Sequence, residues 1–155
     1  MKGRLRSNLG ELMMIPGLSG HEDRVRRWIA GRLRADGIEC RSDRVGNLIA
    51  TFEGDPSLPS VMVFAHMDQL GFIVRKVEDD GLIRVERLGG VPERALASQA
   101  VLLCGREGRD VPGVIYNKSH HATSPEEKYA VLKAADLRID TGHSSKDAVE
   151  AAGIS

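Results

Sequence analysis

Three side chains of metal-binding type stand where strands of this sequence are predicted to end. His66 and Asp68 follow the apolar run "VMVFA", and Asp140 closes the segment "LRID". A neutral imidazole nitrogen can bind a metal ion, and a nearby carboxylate can accept a hydrogen bond from that imidazole and orient it. A carboxylate beside a glycine and a helix start can bridge two cations. The spacing therefore makes all three residues candidates for a metal site.

Each candidate also has a structural interpretation, which the sequence leaves open. His66 fits a histidine that is hydrogen-bonded near the core, and Asp140 fits the N-terminal cap of the following helix. His120 and His121 lie in the polar loop "NKSHHATSPEE", either as a solvent-exposed pair or as part of a loop that faces a substrate. His143 lies close to Asp140 in the sequence. It either supports the ligands of the metal site or is simply exposed to solvent, and the sequence favours neither role.

Composition narrows the functional class. The 155 residues are 41% hydrophobic and 28% charged, which is enough for a core. Lys+Arg and Asp+Glu both number 22, so the chain lacks the basic excess typical of nucleic-acid binders. The central apolar run is too short to span a membrane, and the first residues do not resemble a signal peptide. Two cysteines do not make a disulfide framework, so we expect reduced thiols in a cytoplasmic protein.

The elements that must position the candidates follow from local patterns. Helical spacing predicts a helix that ends before Pro16, and a capping box of Ser19 and Glu22 predicts the start of a second helix. The apolar run at 61–66 predicts a strand buried on both faces. Turn residues predict two strands around residues 46–47 and a hairpin around Asp80-Gly81, followed by another strand pair. Capping boxes predict helices that begin at Ser124 and Ser144, on either side of the "LRID" strand.

This order of elements predicts an α/β fold with an insertion. Residues 1–70 and 134–155 form an incomplete α/β domain, and residues 71–133 form a small antiparallel β module inserted after the buried strand. His66 and Asp140 then end two strands of one sheet. Ligand sites of open α/β sheets lie in the crevice at the carboxyl ends of their strands.

Five segments, in order, resemble the tetrahedral-aminopeptidase family of dinuclear metallopeptidases, some members of which are labelled glutamyl aminopeptidases or endoglucanases. They are "MIPGLSGHE", "DRVGNLIA", "AHMDQLGF", "GVIYNKSHHATSPEE" and "LRIDTGHSSKDA". The resemblance implies a three-layer α/β/α domain in which His66 is a metal ligand, Asp68 is a catalytic residue that orients it, and Asp140 bridges two metals.

The same resemblance implies an activity and its partners. It implies an aminopeptidase that removes N-terminal residues from peptides with two divalent metal ions, most naturally zinc or cobalt. The β module resembles the family's dimerisation domain, which implies a homo-oligomer. The balanced charge and the 4% aromatic content give no support for a nucleic-acid partner, and the short apolar runs give none for a membrane.

The sequence departs from the family pattern in two ways. Gln69 stands where the family usually has a glutamate, which removes one negative charge near the site. The family's general-base glutamate and its remaining metal ligands come after the "LRID" segment, and no acid beyond Asp140 has a suitable spacing. We therefore expect the chain to be the N-terminal part of a longer enzyme and to be inactive alone.

Two alternatives belong to other classes. In the first, the chain is a catalytically inactive truncated homologue that acts as an oligomerisation or interaction module. A glycoside hydrolase would use two opposed carboxylic acids, here Asp68 and Asp140. A histidine two residues before Asp68 fits metal binding better than sugar chemistry.

Overall fold

The computed structural model describes all residues, 1–155, and shows an α/β protein. The chain divides into two compact units, Met1–Gln69 and Leu70–Ser155. None of its helices combines the length and the apolar character needed to cross a bilayer.

The first unit contains two helices and one strand pair. Helix α1 spans Lys2–Met13 and α2 spans Asp23–Ala35, as the periodicity predicts. Strands β1 (Cys40–Ser42) and β2 (Leu48–Ala50) pair antiparallel around the predicted turn. Hydrogen bonds to Glu11 of α1 hold the two helices together. Its carboxylate accepts from the Trp28 indole at 3.2 Å and from Arg32 at 2.8 Å, and both donors belong to α2.

The predicted capping box at the start of α2 is wrong. Glu22 is the N-cap residue and makes no capping bond with its side chain, which instead accepts a bond from the Gly20 N–H at 2.8 Å. The Ser19 hydroxyl is directed elsewhere, to the carboxylate of Asp68. A capping serine accepts a bond from a backbone N–H through its oxygen. The position of the Ser19 side chain is instead set by the bond that it donates to a carboxylate, which is a strong acceptor.

The predicted buried strand at residues 61–66 is also absent. These residues have no regular secondary structure, and Val61, Met62, Val63 and Phe64 are each more than 80% exposed. An interior strand needs a hydrogen-bonded neighbour on each side. No strand of the first unit lies beside this segment, since β1 and β2 pair only with each other.

The second unit is built on a five-stranded antiparallel sheet. In chain order its strands are β3 (Gly71–Val77), β4 (Ile83–Leu88), β5 (Ala100–Cys104), β6 (Asp110–Ile115) and β7 (Arg138–Asp140). The spatial order is β3-β4-β7-β6-β5. Helix α3 (Lys146–Ala151) follows β7. One sheet face, α3 and the loops enclose the core, whose fully buried members are Ile83, Ile115, Leu137 and Val149.

Both predicted strand pairs of the β module are confirmed. Strands β3 and β4 pair through the Asp80-Gly81 turn, and β5 pairs with β6 in continuous register. Gly81 has a φ of +85°, and a Cβ there would lie 2.2 Å from the His143 carbonyl oxygen. A glycine therefore lets this turn approach the loop that follows β7.

The "LRID" strand forms, but not in the predicted sheet. Strand β7 lies between β4 and β6, with Ile139 opposite both Ile83 and Ile115. The expectation that His66 and Asp140 end two strands of one sheet is therefore not met. The physical reason is the burial of Ile139, which completes the apolar face of the antiparallel sheet.

The predicted helix at Ser124 is replaced by a short 3₁₀ turn, Glu127–Tyr129. Its capping box is present, since the Ser124 N–H donates to Glu127 Oε2 at 3.1 Å and the Glu127 N–H donates to Ser124 Oγ at 3.3 Å. Tyr129 is 91% exposed, so no apolar contact extends the turn into a helix. Helix α3 is confirmed, but its cap is Ser145, one residue after the predicted Ser144.

Candidate functional site

His66 and Asp68 form a contact pair at the end of the first unit. Nδ1 of His66 lies 3.0 Å from Oδ1 of Asp68 and 3.1 Å from the Asp68 backbone carbonyl oxygen. Both neighbours are hydrogen-bond acceptors, so we expect the neutral imidazole to carry its proton on Nδ1. The Nε2 lone pair is then available to a ligand, on a side chain that is 86% exposed. His66 is therefore not a histidine satisfied in the core.

Ser19 holds the other side of the Asp68 carboxylate. Its hydroxyl donates to Oδ2 at 2.5 Å, so the two carboxylate oxygens have separate partners. The Ser19 hydrogen bond, with a smaller contribution from nearby His66, lowers the pKa of Asp68 below its ordinary value. Asp68 is thus held as a carboxylate that accepts from both neighbours. The sequence did not distinguish this role of Ser19 from helix capping.

The turn between α1 and α2 fixes the segment that carries this pair. The Gln69 N–H donates to the Gly17 carbonyl at 2.6 Å, and the Gln69 side-chain amide donates to the Ile15 carbonyl at 3.3 Å. A Cβ on Gly17 would lie 2.6 Å from a Val25 methyl group. The glycine allows the turn to pack against α2 while its carbonyl receives Gln69. Gln69 therefore has a positioning role of its own.

Asp140 occupies the last position of β7, in the second unit. Its Oδ1 accepts a hydrogen bond from the Gly142 N–H at 2.7 Å, an arrangement typical of an Asx turn. The side chain is exposed and does not cap α3, because that role belongs to Ser145. His143 contacts the Thr141 hydroxyl through Nδ1 at 2.9 Å.

The two adjacent histidines lie in a loop that folds on itself. His120–Ala122 is a 3₁₀ turn, and the rings of His120 and His121 meet edge to face with centroids 5.8 Å apart. Lys118 contacts the Glu127 carboxylate at 2.6 Å, which lowers the pKa of Glu127 and closes the loop. Both rings are exposed, so this loop presents them to solvent.

These arrangements fit part of a metal site. The His66–Asp68 pair has the form in which a metal-binding histidine is oriented by a carboxylate behind it. Asp140 is a further exposed carboxylate, and its Oδ1 accepts the Gly142 N–H. No group of three or more His, Cys, Asp or Glu side chains comes together in residues 1–155 as a metal site would require. The chain therefore presents candidate ligands singly and does not assemble a complete set.

The M42 glutamyl aminopeptidase family matches residues 46–155 of this chain. The chain belongs to that family. The match includes the His66–Asp68 pair and Asp140, although it begins after Ser19.

Individual relatives agree with this assignment. The chain is 32% identical to the lysyl aminopeptidase of Pyrococcus furiosus over 140 residues, which are 90% of this chain and 40% of the relative. Its fold is similar to that of an aminopeptidase from the archaeon Desulfurococcus kamchatkensis, with a TM-score of 0.87 and 34% identity, over 99% of this chain and 41% of that one.

A third similar protein is known to self-assemble. The TET1 peptidase of Pyrococcus horikoshii, which can form a tetrahedron or a large octahedral shell, matches with a TM-score of 0.79 and 33% identity, over 91% of this chain and 41% of that one. The chain thus spans about two fifths of the length of the relatives that it matches.

Proposed function

We propose that the protein to which this chain belongs is a metal-dependent aminopeptidase that removes N-terminal residues from peptides. The observation that carries the proposal is the His66–Asp68 pair, in which Nδ1 of the 86% exposed His66 side chain contacts a carboxylate at 3.0 Å. Family membership supports the peptidase class.

In this proposal the chain supplies part of the site for two divalent ions, zinc or cobalt. His66 would hold an ion through its imidazole, and Asp140 would supply a carboxylate ligand to the pair of ions. When bound, the ions would activate a water molecule and polarise the scissile carbonyl. Asp68 fixes the tautomer and orientation of His66, and Ser19 keeps Asp68 ionised. The remaining ligands and the general base come from outside the chain.

The proposal retains the predicted organisation of the complete protein. In the complete protein, unlike in this chain alone, residues 1–70 and 134–155 contribute to a three-layer α/β/α catalytic domain, and residues 71–133 are its inserted module. In that domain the segment at 61–66 becomes an interior strand. His120 and His121 face the peptide substrate from their loop. Neither cysteine forms a disulfide, which supports a cytoplasmic location.

A chimera tests this proposal. Residues 1–155 replace the matched segment of the Desulfurococcus kamchatkensis aminopeptidase, and hydrolysis of aminoacyl anilides is measured with zinc or cobalt. We expect activity in the chimera and its loss in His66→Ala and Asp140→Asn. For Asp68→Asn we expect a loss of about 10–100-fold in activity or metal affinity, as for other residues that orient a metal-binding histidine.

His21→Ala is the matched control, because His21 is a histidine of the first unit outside the proposed site. It should leave the rate unchanged. A folded, active chimera whose rate and metal content survive His66→Ala would overturn the assignment of the ligand.

A second candidate function is that of a catalytically inactive module that oligomerises. The observation in its favour is that ten of the twelve buried hydrophobic residues lie in the second unit, which therefore has a core of its own. An inactive chimera that still binds its own copies, with the solved relative active under the same conditions, would favour this candidate.

A further inference from the structure

The turn at residues 78–82, between β3 and β4, lies against the loop at residues 141–145, between β7 and α3. A Cβ on Gly81 would lie 2.2 Å from the His143 carbonyl oxygen, whereas Cβ atoms in folded proteins stay at least about 3.0 Å from other heavy atoms. A residue without a Cβ therefore lets the two backbones come this close.

A hydrogen bond joins the same turn and loop. The Lys146 N–H, at the first position of α3, donates to the Asp79 carbonyl oxygen at 3.3 Å. An N–H in the first turn of a helix has no partner within the helix, so this donor is free to bind the turn. The turn has a defined backbone of its own, because the Gly81 N–H donates to the Glu78 carbonyl at 2.9 Å. The loop is thus held against a fixed support.

The loop in turn orients the side chain of Asp140. The Gly142 N–H donates to Asp140 Oδ1 at 2.7 Å, and Gly142 directly precedes the residue whose carbonyl meets the turn. Strand β7 holds the backbone of Asp140 opposite Val114 of β6. A shift of the loop would therefore move the donor that orients the carboxylate while the strand stays in place.

We propose that Gly81 is a positioning residue for the aminopeptidase site, because the 78–82 turn fixes the Asp140 carboxylate through the 141–145 loop. The inference rests on the proposed function, in which Asp140 is a metal ligand. It gives the inserted module a direct part in the site, since its first hairpin supports a ligand of the catalytic domain. Groups that orient a metal ligand typically contribute about 10–100-fold to metal affinity or activity.

The first test measures this coupling in the chain itself, without metal or substrate. Gly81→Ala places a methyl group against the His143 carbonyl, so the Gly142 amide resonance should shift in ¹H–¹⁵N NMR spectra. Gly108→Ala is the matched control, because Gly108 has a φ of +76° in the β5–β6 turn and a Cβ there would meet nothing within 4 Å. It should leave the Gly142 amide in place. An unshifted Gly142 amide in folded Gly81→Ala would overturn the proposal.

The second test measures metal affinity in the chimera with the Desulfurococcus kamchatkensis aminopeptidase. Zinc binding is determined by competition with a chelator, which reports on the folded protein and does not follow a loss of stability alone. We expect Gly81→Ala to weaken zinc binding about 10–100-fold and Gly108→Ala to leave it unchanged. Wild-type affinity in Gly81→Ala, with a loss in Asp140→Asn, would overturn this inference alone. Wild-type affinity in Asp140→Asn would overturn the ligand assignment, and the inference with it.

Lys146→Pro keeps the test decisive if Gly81→Ala does not fold. Proline suits the first position of a helix, and Ser145 before it already has the extended backbone that a proline requires, with φ −154° and ψ 156°. The variant removes the N–H that binds Asp79, whereas the control Lys146→Ala keeps this N–H and loses the same side-chain charge. Relative to the control, we expect a shifted Gly142 amide and zinc binding weakened about 2–10-fold, as for one hydrogen bond. Equal spectra and affinities in the two variants would overturn the proposal.

Discussion

The hydroxyl of Ser19 donates to Oδ2 of Asp68 at 2.5 Å, while Oδ1 of the same carboxylate lies 3.0 Å from Nδ1 of His66. The three side chains form a short series in which the serine orients the carboxylate and the carboxylate orients the imidazole. The series joins the turn between α1 and α2 to the end of the first unit. In this series the Asp68 carboxylate contacts Nδ1 of His66, and Nε2 of the same ring is left for a ligand.

The first prediction concerns the tautomer of His66. Two acceptor oxygens face Nδ1, so the neutral ring should carry its proton there and leave Nε2 unprotonated. Long-range ¹⁵N–¹H NMR correlation of the ring nitrogens measures this directly above neutral pH. Asp68→Ala should shift the ring towards a mixture of tautomers, and Ser19→Ala should do so to a smaller extent. His66 spectra that are unchanged by Asp68→Ala would show that the contact does not set the tautomer.

The second prediction concerns the contact between the β3–β4 turn and the loop after Asp140. Gly81 and Gly142 both have positive φ, but only at Gly81 would a Cβ meet backbone, 2.2 Å from the His143 oxygen. We expect Gly81→Ala to lower the free energy of unfolding by about 2 kcal/mol or more, and Gly142→Ala by about 1 kcal/mol. Urea denaturation of both variants gives the difference. Equal losses would mean that the close approach adds nothing to the backbone strain.

The third prediction concerns pH. The Glu78 carboxylate contacts Lys76 and Arg84, and the Lys76 hydrogen bond is the largest contribution that lowers the pKa of Glu78. A lowered carboxyl pKa contributes stability above the ordinary value, and this is lost as pH falls through the folded-state value. The stability difference between wild type and Glu78→Gln should thus be largest near neutral pH and shrink below roughly pH 4.

Glu86→Gln provides the control for this pH dependence, because Glu86 contacts one cation, Arg75, and is more exposed than Glu78. Thermal melts of both variants across acidic pH make the comparison. A Glu78→Gln difference that is constant with pH, or one that grows in acid, would contradict the assignment.

The fourth prediction concerns the apolar segment at 61–66. Val63 is 92% exposed, so Val63→Lys should change the free energy of unfolding by no more than about 0.5 kcal/mol and should raise solubility. Val85→Lys, at a position that is 5% exposed, should instead unfold the second unit. Melting temperature and solubility are measured for both. A large loss of stability in Val63→Lys would show that the segment is packed in solution.

Local signals predicted the features that depend on neighbouring residues. The Asp80-Gly81 turn, the β5–β6 pair and the capping box of Ser124 and Glu127 all form as expected. In each case the residues that make the structure lie within a few positions of each other. The sequence pattern therefore contains the information needed.

Features that depend on distant partners were not predictable in this way. The bond between Ser19 and Asp68 joins residues 49 positions apart, and the same Ser-x-x-Glu spacing is equally consistent with a helix cap. The apolar run at 61–66 has the composition of an interior strand, but composition does not supply neighbouring strands. The placement of β7 depends on the burial of Ile139 against β4 and β6.

The most direct measurement of the central claim is the metal content of this chain and of His66→Ala, prepared side by side. Each protein is loaded with zinc or cobalt and desalted, and the ions per chain are counted by mass spectrometry alongside the intact mass. We expect a metal content above zero but below two ions per wild-type chain, and less metal in His66→Ala, because His66 is a ligand in an incomplete set. Equal metal in the two proteins would contradict the assignment of His66 as a ligand.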